Sequence, residues 1–192
     1  MFFFTKLVNE KLRQKCVTAY TNHTGVWRMP WKEIESTIRE RYFQEADCMK
    51  KADRVFVLNS ETKANIVEHL GVKEENILVI NNGVNTDVYV PLTKEEKEKI
   101  KENRGFEGKK IILQVGSVYE NKGQARSVEL LSELMKEDEN LVYLYAGGIV
   151  DEEYKKLVDE TAKKLGVENQ VKYLGMISPG EELNEIYNIA DA

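Results

Sequence analysis

Four residues in one short stretch, Gly116, Ser117, Lys122 and Gly123, have the types and spacing that suit a diphosphate. They belong to Gly116-Ser-Val-Tyr-Glu-Asn-Lys-Gly123, which reads as a loop between the end of a strand and the start of a helix. Glycine lets backbone approach an anion closely, the first amides of a helix point their N–H groups at it, and a lysine adds a mobile full charge. An ordinary connection with a solvated lysine fits the same residues. Gly147-Gly148 and Gly175-Met176 follow two further strands, where they either admit a ligand or simply turn the chain. His23, just past a fourth strand, can orient or polarise a hydroxyl, although a lone histidine also serves as a satisfied structural residue.

Other chemistries find no support in the sequence. No His, Cys and carboxylate residues have metal-ligand spacing, and no Gly-x-Ser-x-Gly elbow is present, which disfavours metalloenzyme and hydrolase readings. Cys16 and Cys48 are expected to be small buried apolar residues rather than a disulfide or a reactive pair. Trp27 and Trp31, beside Arg28 and Lys32, suit stacking on a ring, seating at a membrane surface, or packing against the helix that follows.

The elements that must position these residues follow from periodicity. Cys16–Asn22 is β-branched and aromatic and reads as a strand; Ile34, Ile38, Tyr42, Ala46 and Met49 then form one apolar stripe of a helix over Trp31–Ala52. Arg54–Leu58 is a buried strand, Ser60 is placed to cap a helix stopped by Gly71, and Ile77–Ile80 is a third strand. Turn residues over Asn81–Pro91 and a charged helix, Lys94–Asn103, interrupt the alternation. It restarts with strand Ile111–Val115, a helix carrying Val128, Leu131, Leu134 and Met135, and strand Leu141–Tyr145. A helix over Asp151–Leu165 presents Tyr154, Leu157, Val158, Thr161, Ala162 and Leu165 on one face, and strand Gln170–Leu174 follows. Ser178-Pro-Gly-Glu181 predicts a capping box with proline at the first helical position.

Buried runs alternating with amphipathic helices predict an α/β fold of two Rossmann-like, doubly wound parallel-sheet domains. Each half shows only three strands where a complete dinucleotide-type sheet has about six, so each domain is expected to be incomplete. The divisions read as 1–82 for the first domain, 83–104 for linker and charged helix, and 105–192 for the second. In such sheets ligands bind beyond the carboxyl ends of strands, where Gly116, Gly147, Gly175 and His23 all fall. The first 63 residues carry 12 Lys and Arg against 8 Asp and Glu, and the remainder carries 16 against 25, which argues against a general nucleic-acid surface. The basic part suits an anionic acceptor or peripheral contact with a membrane surface, or simply a solvated face. The opening apolar run, Met1–Phe4, is far too short for a membrane span, and the chain reads as cytoplasmic.

The order of these features resembles the family 4 glycosyltransferases of the GT-B fold across almost the whole chain. Ala52–Ser60 is similar to the last strand segment of that family's first domain, and Val79-Ile-Asn-Asn-Gly-Val-Asn-Thr-Asp87 to its interdomain stretch. Ile112–Gly123 resembles the donor-phosphate loop, and Tyr143–Gly148, Gln170–Gly175 and Tyr187–Ala192 follow in the family's order. The chain is expected to be a central portion, without the family's N-terminal glycine-rich acceptor loop and its C-terminal glutamate loop.

The resemblance implies transfer of a sugar from a nucleoside-diphosphate sugar to an acceptor hydroxyl, with retention, in glycan or cell-surface polysaccharide synthesis. No cofactor or metal is implied beyond the donor, the acceptor is a glycan or lipid-linked molecule, and any membrane contact is at the inner face. It gives Gly116, Ser117, Lys122 and Gly123 the donor diphosphate, Gly147, Gly148, Gly175 and Met176 the nucleotide, and His23 and Lys122 catalytic roles. The family usually has arginine where this chain has Ser117, which donates one neutral hydrogen bond and no charge. A sugar-nucleotide epimerase of the same fold, told apart by acceptor dependence, and an inactive nucleotide- or partner-binding segment remain as alternatives.

Overall fold

The computed structural model of the chain describes residues 16–33 and 42–192. The chain divides into two compact units, Met1–Gly83 and Val84–Ala192. In the first, strands β1 (Ala19–Thr21), β2 (Arg54–Val57) and β3 (Ile77–Val79) form a parallel sheet in that order. Helix α1 (Phe43–Lys51) leads into β2, and α2 (Ser60–Leu70) lies between β2 and β3. Their common core is Trp27, Ala46, Met49, Val55, Val57, Ile66 and Ile77. The predicted stripe residues Ile34 and Ile38 lie outside the described residues; Tyr42, Ala46 and Met49 pack on this core as expected.

The second unit repeats the arrangement at larger scale. After helix α3 (Lys94–Asn103) come β4 (Lys110–Val115), α4 (Gln124–Glu137), β5 (Leu141–Ala146), α5 (Glu152–Leu165), β6 (Val171–Tyr173) and α6 (Glu181–Ile189). The sheet is parallel in the order β4-β5-β6. Strand β5 shows why the run is continuously apolar: Tyr143 and Tyr145 enter one core with Val128, Met135 and Val158, whereas Val142 and Leu144 enter the opposite core with Ile111, Ile186 and Ile189. Both faces are covered, as a parallel sheet requires. Thr93 closes a capping box with Glu96 at the start of α3, and Asp151 accepts from the Tyr154 amide at the start of α5. Asn188 and Asn184 fasten the preceding segment to α6, accepting from the amides of Leu92 at 2.8 Å and Val90 at 3.1 Å.

Several local expectations give way. Asn59, rather than Ser60, caps α2, because its side chain reaches the Thr62 amide at 2.8 Å. No capping box forms at Ser178: α6 starts at Glu181, after Gly180 at φ 149°, and no side chain caps it. Gly180 is still in extended backbone that favours glycine, so the helical conformation begins only after it and Ser178 lies too far ahead to cap the helix. Cys48 is buried but Cys16 is exposed, since the strand begins only at Ala19. Leu157 and Leu134 are about half exposed, because the contacts of α4 and α5 follow the narrower lines through Val128 and Met135 and through Tyr154, Val158 and Ala162.

Candidate functional site

The carboxyl ends of β4, β5 and β6 are sewn together by backbone. The Gly116 amide donates to the Ala146 carbonyl at 2.8 Å, and the Gly147 amide donates to the Gly175 carbonyl at 2.8 Å. Two residues beyond Gly116, the Val118 amide donates to the Gly148 carbonyl at 2.9 Å. The Tyr173 hydroxyl donates to the Gly147 carbonyl at 2.6 Å. The structure thus brings Gly116, Ser117, Gly147, Gly148 and Gly175 to one end of one sheet.

The glycines are there for two reasons. Gly147 has φ 149°, and a Cβ on it would lie 2.1 Å from the Gly116 carbonyl oxygen, so two loops meet where no side chain fits. Gly123 (φ 72°) ends a 3-10 turn, Glu120–Lys122, and opens α4 in the left-handed region that favours glycine. At Gly116 a Cβ would sit 3.8 Å from Lys122 Cδ and 3.9 Å from Cε, an ordinary contact that asks for no glycine but places the aliphatic stem of Lys122 beside Gly116. The lysine is exposed.

Residues that the sequence reading passed over hold this loop in shape. Gln114, within β4, donates from Nε2 to the Lys122 carbonyl at 2.6 Å, while its Oε1 accepts from Ser127 Oγ at 3.0 Å and from the Tyr143 hydroxyl. Gln124 is fully buried and donates from Nε2 to the Ser117 carbonyl at 3.0 Å. The Tyr154 hydroxyl accepts from the Ala125 amide at 3.1 Å, so one of the helix-start N–H groups expected to face an anion already has a partner. A polar residue interrupting an apolar strand, as Gln114 does, is the signal that points to such a tie; Tyr154 reads as one more apolar-face residue and gives no warning.

Met176 is exposed, and its Sδ would meet a Cβ on Gly148 at 3.7 Å, so Met176 and the Gly147-Gly148 turn adjoin. His23 belongs to the first unit, where it is exposed in the loop between β1 and the 3-10 turn Gly25–Arg28. Trp27 in that turn is wholly buried, and Trp31 stacks on His69 with ring centroids 4.4 Å apart, so both tryptophans pack within the unit. A groove of about 540 Å³ between Val84–Pro91 and α6 shares no residue with the glycine loops. Among the described residues no group of three or more His, Cys, Asp or Glu side chains is arranged to hold a metal ion, and no helix is long and apolar enough to cross a membrane.

The sequence model for glycosyl transferases group 1 matches residues 95–192, just over half of the chain and all of the sheet that carries these loops. The chain belongs to the glycosyl transferase group 1 family. A second sequence model, for glycosyltransferase family 4, matches residues 2–88. Among curated relatives, the mannosylfructose-phosphate synthase of Agrobacterium fabrum is 29% identical over 164 residues, covering 83% of this chain and 36% of the relative. The D-inositol 3-phosphate glycosyltransferase of Corynebacterium aurimucosum is 28% identical over 151 residues, covering 77% and 36%. The chain thus spans about a third of the length of the curated relatives it matches. Among solved structures, Anabaena HepE in complex with UDP superposes with a TM-score of 0.76 at 15% identity, over 100% of this chain and 50% of HepE. That likeness shows the fold, two α/β units of the glycosyltransferase GT-B kind.

Proposed function

We propose that the whole protein transfers a sugar from a nucleoside-diphosphate sugar to an acceptor hydroxyl, with retention of configuration, and that the second unit binds the donor. The observation that carries this reading is Lys122: its stem lies beside Gly116, at the end of a parallel strand, in a loop whose backbone is bonded to Ala146 and Gly148. Strand ends of this architecture are where ligands bind. The names of the relatives support the class of reaction, and HepE, of the same fold, has been solved with UDP-glucose.

In the transfer, the bond between the anomeric carbon and the phosphate oxygen breaks and its electron pair leaves with the nucleoside diphosphate. The difficulty is the negative charge on the departing group. Lys122 stabilises that charge, and removing one such preorganised donor typically costs about 100- to 1000-fold in rate. Ser117 contributes a neutral hydrogen bond to the same diphosphate. Gly147, Gly148, Gly175 and Met176 form the floor beneath the nucleotide, since the three glycines admit its planar base and Met176 offers an adaptable apolar contact. His23 is assigned to the transferring sugar, and the acceptor is a glycan or lipid-linked hydroxyl. The reading requires no cofactor other than the donor itself.

The test is saturation-transfer NMR of the chain with UDP-glucose, repeated with excess inorganic diphosphate. The reading expects transfer to the nucleoside and sugar protons that the diphosphate competes away. Transfer that diphosphate leaves untouched would contradict the assignment of the Gly116–Gly123 loop.

A further inference from the structure

The first unit contains a buried carboxylate that none of the chemistry above uses. Glu45, on α1, is only 2% exposed. Its Oε1 accepts three hydrogen bonds, from the Tyr20 hydroxyl at 3.0 Å, Asn22 Nδ2 at 2.7 Å and Thr24 Oγ1 at 2.9 Å; its Oε2 accepts from Trp27 Nε1 at 3.0 Å. All four donors are neutral and all four belong to one stretch, the end of β1 and the loop after it. A buried carboxylate is tolerated only when such donors replace its hydration. The reverse dependence matters more here: four separate points between residues 20 and 27 converge on a single side chain.

His23 sits between two of those donors. Asn22 is itself buried, and its amide continues the β1–β2 pairing by donating to the Phe56 carbonyl at 2.8 Å. With the side chains of Asn22 and Thr24 both directed to Glu45, the histidine between them is the exposed member of the three. We infer that Glu45 is a positioning residue, holding the Asn22–Trp27 loop in the one shape that presents His23. The histidine makes no bond to Glu45 in this arrangement; the carboxylate acts on it through its two neighbours. This inference rests on the assignment of His23 to the transferring sugar.

Burial and the Glu45 carboxylate together raise the Tyr20 phenol well above its ordinary range, so this donor keeps its proton at any physiological pH. Glu45→Gln keeps the shape of the side chain but turns one of its oxygens into an N–H donor, which must face either the Trp27 N–H or the three donors on the other side. Thr24→Val is the gentler partner variant, removing one donor at nearly constant volume.

The experiment is a double-substitution cycle on UDP release from UDP-glucose by the full chain, with UDP affinity measured alongside. Glu45→Gln is expected to lower kcat tenfold or more, and Thr24→Val several-fold, with KM for UDP-glucose and UDP affinity within twofold of the parent. In a His23→Ala background, Glu45→Gln should cost nothing further. An equal loss in both backgrounds would overturn the inference and leave Glu45 as a residue of general stability. A parent rate unchanged by His23→Ala would instead overturn the assignment of His23. The positioning claim has its own readout in either case, the imidazole signals of a ¹⁵N-histidine-labelled chain containing His23 and His69. Glu45→Gln must broaden or displace the His23 signals and leave those of His69 in place; unchanged His23 signals would refute it.

Discussion

Gly147 and Gly116 stand so close that a Cβ on Gly147 would lie 2.1 Å from the Gly116 carbonyl oxygen, with its carbonyl carbon at 2.5 Å and the Ser117 nitrogen at 3.0 Å. The obstacles are backbone atoms, which no rotamer change removes. This contact joins the Gly116–Gly123 loop to the end of the neighbouring strand, and it fixes how that loop leaves the sheet.

Gly147→Ala should therefore destabilise the second unit by about 2–4 kcal/mol, through overpacking and a strained φ, and abolish nucleoside-diphosphate binding. Gly148→Ala is the control. Its Cβ would meet only Met176 Sδ at 3.7 Å, an ordinary contact, and a change within about 1 kcal/mol is expected. Urea denaturation of the two variants measures the difference.

Ser117→Arg adds a charge beside a loop that holds one acid, Glu120, and one base, Lys122. A charge-assisted hydrogen bond is worth about 1.5–3 kcal/mol net against about 0.5–1.5 kcal/mol for a neutral one. UDP should bind up to about tenfold tighter to the variant, with a steeper loss at high salt. Unchanged affinity would mean that residue 117 does not face the diphosphate.

Tyr154→Phe removes the oxygen that accepts from the Ala125 amide at the start of α4. Leaving a buried backbone donor without its partner costs about 1–3 kcal/mol, visible as a lowered denaturation midpoint. If an anion takes over that amide, UDP should recover part of the loss.

Alkaline stability should reflect the stacked tyrosines of β5. Burial pushes the Tyr143 phenol up to about 12, outweighing the opposite effect of the Ser127 hydrogen bond, and burial raises Tyr145 as well. Because the folded state holds these protons more tightly than the unfolded chain, their contribution is intact below about pH 10 and is lost as the pH rises towards 12. Thermal melts between pH 9 and 12 should show a decline that Tyr143→Phe makes shallower.

The architecture was legible because each buried run and each apolar stripe had a period that only one element satisfies. Strand β5 and helix α5 are cases where the length of the run or stripe agreed with the structure to within a residue. Boundaries were less legible where a turn residue had a competitor, as with Asn59 against Ser60, or where a glycine redirected the chain, as with Gly180 after Ser178. At the candidate site, the glycines and Lys122 could be read from composition because their chemistry is local. Gln114, Tyr154 and Glu45 could not, since each owes its importance to partners that the fold brings together. Glu45 lies 18 to 25 residues from its four donors, and nothing in its own neighbourhood distinguishes it from a solvated helix glutamate.

The central claim is that the loop carrying Lys122 grips the diphosphate of a nucleotide sugar, and calorimetric titration of UDP, GDP and ADP into the chain and its Lys122→Ala variant tests it most directly. Saturable binding of at least one nucleotide, weakened about 10- to 100-fold by the substitution, is the predicted result. Equal affinity in the two proteins, or no binding by either, would contradict it.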